Sequence, residues 1–159
     1  MALAVTSELI RRGIPAHLDV IGCSPALSPS APATVHGFLS KMESPGLLKI
    51  SRLCERAHFL LLPTRRDCTP AAIAEAALFG VPTLARNVGG IGTMIQDRVS
   101  GGLFDESADF REYADFIEKT LSDAGQYPAL ARGAFEMYRS KLNWTSAVAR
   151  VSELIVSVL

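Results

Sequence analysis

The stretch that decides the fold is Phe59–Arg86, which reads FLLLPTRRDCTPAAIAEAALFGVPTLAR. An apolar run at His58–Leu62 is followed by a polar loop, an alanine-rich segment that ends at Gly80, and a second apolar run. This order predicts a strand, a helix at about 70–79 with glycine as its stop signal, and a second strand at Val81–Ala85. The first run has the unbroken apolar character that is typical of a parallel strand buried on both faces by helices.

The alternation of strands and helices continues on both sides of this stretch, and it indicates an α/β fold with a parallel sheet. Further apolar runs predict strands at His17–Ile21, Thr34–Phe38 and about 102–104. Amphipathic segments predict helices at 2–12 and 44–57, a short helix near 93–96, and C-terminal helices at about 108–123, 127–140 and 145–158. No linker divides the sequence, so we expect a single domain over residues 1–159, with a Rossmann-like open parallel sheet flanked by helices. Trp144, with Leu142 and Val148, is expected to pack at the last helix.

The composition excludes several classes of protein. Hydrophobic residues make up 48% of the chain and charged residues 20%, which favours a packed core over disorder. The 16 basic and 16 acidic residues cancel, so the charge does not point to a nucleic acid partner. The apolar runs are too short for a transmembrane segment, and the N-terminus lacks the basic leader of a secretory signal. The three cysteines, Cys23, Cys54 and Cys68, are too far apart in sequence to suggest a disulfide framework or a metal site, so we expect a cytoplasmic protein.

The polar loop that precedes the helix at 70–79 carries the candidate site. In open α/β sheets, ligands bind in the crevice beyond the carboxyl ends of the strands, which is where this loop lies. Thr69 is expected to be the N-cap of the helix and Pro70 its first residue. The helix start at Pro70–Ala72 would then direct backbone N–H groups and the positive end of the helix dipole at the crevice, which suits phosphate.

Two carboxylates flank this helix start, Asp67 in the loop and Glu75 in the second turn, with seven residues between them. Carboxylates accept paired hydrogen bonds from vicinal hydroxyls, such as those of a sugar or a ribose. A phosphate-binding helix start with a hydroxyl-binding carboxylate on each side is the arrangement that a nucleotide-sugar requires. The alternatives are a solvent-facing helix carboxylate for Glu75, although its neighbours are apolar, and an ordinary loop-capping aspartate for Asp67.

These residues resemble the donor-binding motif of retaining GT-B glycosyltransferases that belong to group 1 and are similar to family 4. In that motif, two acidic residues lie on either side of a loop–helix junction. The segment from Glu75 to Pro82 resembles the usual Glu-Ala-x-x-x-Gly-x-Pro. Asn87-Val-Gly-Gly-Ile resembles the glycine-rich turn after the next strand, and we expect it to be a tight turn close to the crevice. Asp97-Arg-Val-Ser-Gly-Gly-Leu-Phe resembles Asp-Gly-x-x-Gly-x-Leu. Four such motifs in order make the resemblance specific.

The resemblance implies half of a GT-B fold and a transfer of sugar from a nucleotide-sugar with retention at the anomeric carbon. It implies no metal ion or other cofactor, and no certain catalytic residue within this chain. Asp67 would contact hydroxyls of the donor sugar, and Glu75 would hold the ribose hydroxyls. The resemblance also implies that backbone groups face the sugar and diphosphate at Cys68, Thr69, Pro70 and Ala71. It implies that the nucleobase is held through the main chain at Phe38 and Leu39.

The sequence also departs from the family pattern. Asp67 stands where glutamate is usual, and Cys68-Thr69-Pro70 replaces Gly-Phe-Gly. Pro70 has no N–H, so one donor to phosphate or sugar is lost at that position. Arg98 stands where glycine is typical, and we expect it to lie in a surface turn.

The chain opens on a predicted helix, which we interpret as a sign of a longer protein with a separate N-terminal, acceptor-binding domain. The fragment alone is expected to bind the donor without turnover, and any peripheral membrane contact would be made through the missing domain. Two alternatives stay open. One is a non-catalytic module that binds a nucleotide or a sugar, and the other is a sugar-nucleotide epimerase or phosphorylase that shares the GT-B fold.

Overall fold

The computed structural model describes residues 1–157, which form two compact units. Unit 1 comprises Met1–Ala57 and Ser107–Asp123, and unit 2 comprises His58–Glu106 and the chain from Ala124 onward. The single domain over residues 1–159 stays a prediction.

The helices and strands follow the predicted order. They are α1 (Ala2–Arg11), β1 (Leu18–Ile21), β2 (Ala33–Gly37), α2 (Ser44–Arg56), β3 (Leu60–Leu62), α3 (Ala71–Leu78), β4 (Thr83–Arg86), β5 (Gly101–Phe104), α4 (Phe110–Ser122), α5 (Gln126–Met137) and α6 (Trp144–Val156). A 3₁₀-helix at Ile91–Thr93 and a π-helix at Tyr138–Leu142 complete the set for the described residues. Val158, the predicted end of the last helix, lies outside the described residues.

The strands pair in parallel, which confirms the predicted α/β class. In unit 1, β1 pairs with β2, and in unit 2 the order is β3-β4-β5. Strand β4 is central in its sheet and is the most deeply buried, with Leu84 and Ala85 fully inaccessible to solvent. The prediction of complete burial at His58–Leu62 was wrong, because β3 is an edge strand and its residues are only half-buried.

Glycine ends the helix before β4, as the sequence predicts. Gly80 has a φ of 68°, its N–H donates to the carbonyl of Ala77, and the N–H of Val81 donates to that of Ala76. This backbone geometry is that of a Schellman stop, which satisfies carbonyls that the helix leaves unpaired. The helix predicted near 93–96 is instead the 3₁₀-helix at Ile91–Thr93. It begins earlier because the backbone N–H of Thr93 donates to the carbonyl of Gly90.

The packing of the C-terminal helix differs from the prediction. Trp144 is 86% exposed and Val148 is also exposed, whereas Leu142 packs against the core of unit 2. Asn143 separates the π-helix from α6, so Leu142 and Trp144 belong to different helices with different surroundings. Across residues 1–157, no helix has both the length and the apolar character that a membrane span requires.

A network of charges ties α1 to α4 in unit 1. Glu8 is almost buried, at 7% exposure, and accepts hydrogen bonds from Arg11 at 2.7 Å and from Arg12 at 2.8 Å. Arg12 also reaches Asp115 and Glu118 on α4, at 2.6 and 2.7 Å. The hydrogen bonds from Arg11, and then those from Arg12, lower the pKa of Glu8 to about 2.

We expect Glu8 to make the stability of the fold sensitive to acid. Because its pKa is lower in the folded chain than its usual 4.5, its contribution is complete above about pH 4.5 and is lost as the pH falls toward 2. Urea unfolding of the wild type and of Glu8→Gln should therefore give midpoints that differ at pH 7 and converge only as the pH falls to about 2. The control is Glu55→Gln on an exposed part of α2, which should leave the wild-type pH profile unchanged. A constant gap between wild type and Glu8→Gln at all pH values would contradict this role.

Arg98 occupies a backbone conformation that favours glycine. Its φ is 59°, the left-handed region in which a Cβ is strained, and its side chain is exposed. We expect Arg98→Gly to raise the free energy of unfolding by about 0.5–1 kcal/mol. Arg98→Ala is the matched control, because it also removes the 3.7 Å surface ion pair with Asp97 but keeps the Cβ. Equal free energies of unfolding for the two variants in urea titrations would show that the left-handed backbone conformation at residue 98 does not destabilise the wild type.

Candidate functional site

The β3–α3 loop, residues 63–70, leaves the carboxyl end of β3 and leads to α3. Its first part is a local turn in which the hydroxyl of Thr64 donates to the carbonyl of Arg66 at 3.0 Å. Arg65 and Arg66 are exposed and Asp67 is half-buried. Cys68 and Thr69 follow and are also exposed. The loop thus presents side chains of both charges beside the start of α3.

The helix start lies one residue later than predicted. Pro70 is the N-cap, with a φ of −66° and an extended ψ of 118°, and Ala71 is the first residue of α3. The prediction that Thr69 caps the helix was wrong, because an extended Pro70 cannot serve as the first helical residue. Pro70 has no side-chain oxygen with which to cap the first turn. The N–H of Ile73 donates to the carbonyl of Pro70 at 3.0 Å, and the N–H groups of Ala71 and Ala72 head the helix.

The glycine-rich turn after β4 lies directly against this loop. A Cβ added at Gly89 would overlap the carbonyl oxygen of Asp67, and one added at Gly90 would overlap that of Cys68. At Gly90 it would also come within 3.2 Å of the methyl carbon of Thr69. The structure therefore brings two of the predicted motifs into contact, and the turn acts as a wall behind the backbone of Asp67 and Cys68.

Glu75 lies in the second turn of α3. It is half-buried, while Ile73, Ala76 and Ala77 on the same helix are buried. The fully solvated position that a surface carboxylate would take is therefore not what the structure shows.

The residues predicted to contact the nucleobase belong to unit 1. Phe38 is 83% exposed and Leu39 is half-buried, and both follow Gly37 at the end of β2. Just before them, the Nε2 of His36 lies 2.7 Å from an Asp19 carboxylate oxygen, and Arg56 donates to the same carboxylate at 2.9 Å.

This cluster is one that the sequence did not indicate, since its members are 17 and 37 residues apart. Partial burial pushes the pKa of Asp19 upward, but the hydrogen bonds from His36 and Arg56 outweigh it. The pKa of Asp19 is therefore below its ordinary value. The cluster links β1, β2 and the last turn of α2, and its member His36 lies two residues before Phe38 in the chain.

An open depression near the end of β5 is lined by Asn87, Asp97, Leu103, Phe104, Asp105 and Glu106. Asp97 has a structural role there, because its carboxylate accepts a hydrogen bond from the N–H of Leu103 at 2.9 Å. Among the residues that the structure describes, no three His, Cys, Asp or Glu side chains are grouped to hold a metal ion. Independence from metal stays a prediction.

Comparison with known proteins identifies the class. The profile of the family described as glycosyl transferases group 1 matches residues 1–123, and the chain belongs to this family. It is 28% identical over 103 residues to a D-inositol 3-phosphate glycosyltransferase of Thermobispora bispora, covering 65% of this chain and 24% of the relative. It is 33% identical over 106 residues to a glycogen synthase of Pseudomonas fluorescens, covering 65% of this chain and 20% of that protein. The chain thus spans about a quarter or less of the length of these relatives.

Solved structures agree on the fold. Sucrose-phosphate synthase of Thermosynechococcus elongatus superposes with a TM-score of 0.75 at 16% identity, covering 98% of this chain and 42% of that one. HepE of Anabaena in complex with UDP-glucose superposes with a TM-score of 0.67 at 15% identity, covering 96% and 52%. At such identities the likeness concerns the fold alone. The structural neighbours are GT-B glycosyltransferases, so the predicted fold family is confirmed.

The contact between the glycine-rich turn and the β3–α3 loop can be tested with two alanine variants. Gly90 has an ordinary φ of −89°, so Gly90→Ala adds a clash with the Cys68 carbonyl without backbone strain. We expect it to lower the free energy of unfolding by about 1–3 kcal/mol, as overpacking does. In the matched control, Gly92→Ala, the new Cβ meets only the side chain of Asn87, which can move. The control should lose less than about 1 kcal/mol in the same urea titration. Equal losses would mean that the contact with the loop does not constrain the turn.

Proposed function

We propose that this chain binds the nucleotide-sugar donor of a glycosyltransferase and that the protein transfers the sugar to an acceptor with retention at the anomeric carbon. The observation that carries the proposal is the start of α3, which no side chain caps and which lies between the half-buried acidic residues Asp67 and Glu75 in the chain. Membership of the group 1 glycosyl transferases supports it. The acceptor-binding domain is proposed to be a separate part of the whole protein.

The diphosphate is proposed to bind at the start of α3. The N–H groups of Ala71 and Ala72 and the positive end of the helix dipole favour an anion there. Arg65 and Arg66, both exposed in the β3–α3 loop, add positive charge close in sequence to the helix start. These groups would stabilise the charge that develops on the leaving nucleoside diphosphate, so the proposed transfer uses no metal ion.

The carboxylates are proposed to hold hydroxyl groups on the two sides of the diphosphate. Asp67, from the loop, would accept hydrogen bonds from the donor sugar, and Glu75, from the helix, would accept them from the ribose. Backbone groups of Cys68, Thr69 and Pro70 would face the sugar and diphosphate. Because Gly89 and Gly90 fix the backbone at Asp67 and Cys68, the sugar-binding carboxylate would sit on a rigid support.

In unit 1, Phe38 and Leu39 are proposed to bind the nucleobase through their main chain. The hydrogen-bonded cluster of Asp19, His36 and Arg56 holds the end of β2 that leads into them. The crystal structures of HepE contain UDP or UDP-glucose, which supports a nucleotide-sugar as the ligand class.

A second candidate function is a non-catalytic module that binds a nucleotide or a sugar. Two observations favour it, namely the shorter acidic side chain at Asp67 and the proline at the helix cap, which supplies no N–H. The variant Asp67→Glu separates the candidates in the full-length protein. If Asp67 serves transfer, the glutamate should support turnover at a rate within about tenfold of the wild type. A large gain of turnover from an inactive wild type would favour the module.

Donor binding is tested by calorimetric titration of the chain with UDP, GDP and ADP. We expect one of them to bind, and we expect Glu75→Gln to weaken that binding at least about tenfold, since a charged acceptor of two hydroxyl bonds is lost. Glu153→Gln on the exposed surface of α6 is the matched control and should bind like the wild type. A wild type that binds none of the three nucleotides would refute donor binding. Unchanged affinity in Glu75→Gln would refute its role at the ribose.

A further inference from the structure

The Gly89–Gly90 turn, which contacts the β3–α3 loop, is itself bonded to the C-terminal part of the chain. The carbonyl of Gly90 accepts hydrogen bonds from the N–H of Thr93 at 3.0 Å and from its hydroxyl at 2.7 Å. The carbonyl of Thr93 in turn accepts a hydrogen bond from the ammonium group of Lys141 at 2.7 Å. A continuous series of contacts therefore runs from Lys141 through Thr93 and Gly90 to the backbone of Cys68.

Leu142, the residue after Lys141, contacts the same segment through apolar packing. Leu142 packs against a buried cluster that contains Ile91 and Val88, which lie on either side of the two glycines. Ile91 is completely inaccessible to solvent. Neighbouring side chains of the π-helix thus hold the turn by a polar contact at its end and by an apolar contact at its base.

The shape of the π-helix is maintained by Asn143. The amide nitrogen of this side chain donates to the carbonyls of Tyr138 and Arg139, both at 2.8 Å, and its amide oxygen accepts from the N–H of Ser146 at 2.9 Å. These bonds satisfy carbonyls at the end of one helix and an N–H group at the start of the next. Single π-helical turns are rare and often accompany functional sites.

The contact of Lys141 has favourable electrostatics. Thr93 is the last residue of the 3₁₀-helix, whose terminal carbonyls carry partial negative charge. A hydrogen bond from an ammonium group to such a carbonyl is charge-assisted and stronger than a neutral one. Replacing the ammonium group would therefore weaken the hold on the turn even though Lys141 lies at the surface.

We propose that Lys141 is a positioning residue of the donor site. Through Thr93 and Gly90, it keeps the backbone of Asp67 and Cys68 in the conformation that binds the sugar and diphosphate. The inference rests on the proposed function, because it assigns Lys141 a role in that same site. Lys141 lies beyond residues 1–123, the part of the chain that matches the family profile.

The experiment compares Lys141→Met, which keeps the length of the side chain, with Lys141→Arg, which restores a charged donor. Calorimetric titration of the whole chain uses whichever of UDP, GDP and ADP binds the wild type. We expect Lys141→Met to bind about three- to tenfold more weakly, and Lys141→Arg to return to within about twofold of the wild type. Lys119→Met, at an exposed position on α4 in unit 1, is the control and should bind normally.

Hydrogen exchange separates positioning from a general loss of stability. In Lys141→Met the amides of Thr93 and Met94 should exchange faster, while those of β4 exchange as in the wild type. Faster exchange throughout unit 2, wild-type affinity in Lys141→Met, or failure of arginine to restore binding would each overturn the inference. A wild type that binds no nucleotide would instead overturn the proposed function, and this inference with it.

Discussion

The site depends on one close approach, that of the Gly89–Gly90 turn to the backbone of Asp67 and Cys68. No side chain larger than hydrogen fits between the two segments, so the loop after β3 and the turn after β4 are held in contact. Sheet order makes this approach possible, because β3 and β4 are parallel neighbours whose following segments emerge at the same edge. The conformation of the loop that carries Asp67 is therefore determined by residues more than twenty positions further along the chain.

Much of the fold follows from local patterns in the sequence. The apolar runs, the alanine-rich helix and the stop at Gly80 are short-range features, and each can be predicted from residues within one helix or strand. The arrangement of the candidate site, with Asp67 and Glu75 on either side of a helix start, can also be predicted from residues that are close together in the sequence. For that reason the predicted strands, helices and parallel pairing agree with the structure, apart from boundaries that move by up to three residues, the 3₁₀-helix at Ile91–Thr93, and the π-helix that follows α5.

The features that could not be predicted depend on distant partners. Lys141 and Thr93 are 48 residues apart, and Asp19 and His36 are joined by a strand pairing that no short motif marks. The exposure of Trp144 has a related cause, since an aromatic residue in a helix indicates packing only if another element covers that face. Periodicity identifies which face of a helix is apolar, but the contacts of that face are decided by the tertiary structure.

The corrected position of the helix cap changes the meaning of Pro70. Had Thr69 been the cap, its hydroxyl would have accepted a hydrogen bond from the first turn of α3, at the place where an anion would bind. With Pro70 as the cap, the missing N–H lies at the cap itself, and the N–H groups of Ala71 and Ala72 still head the helix. Since proline has no side-chain oxygen, it leaves these two donors to a ligand. The proline that departs from the family pattern is therefore compatible with a phosphate seat, and the sequence difference weakens the case for donor binding less than the sequence alone suggests.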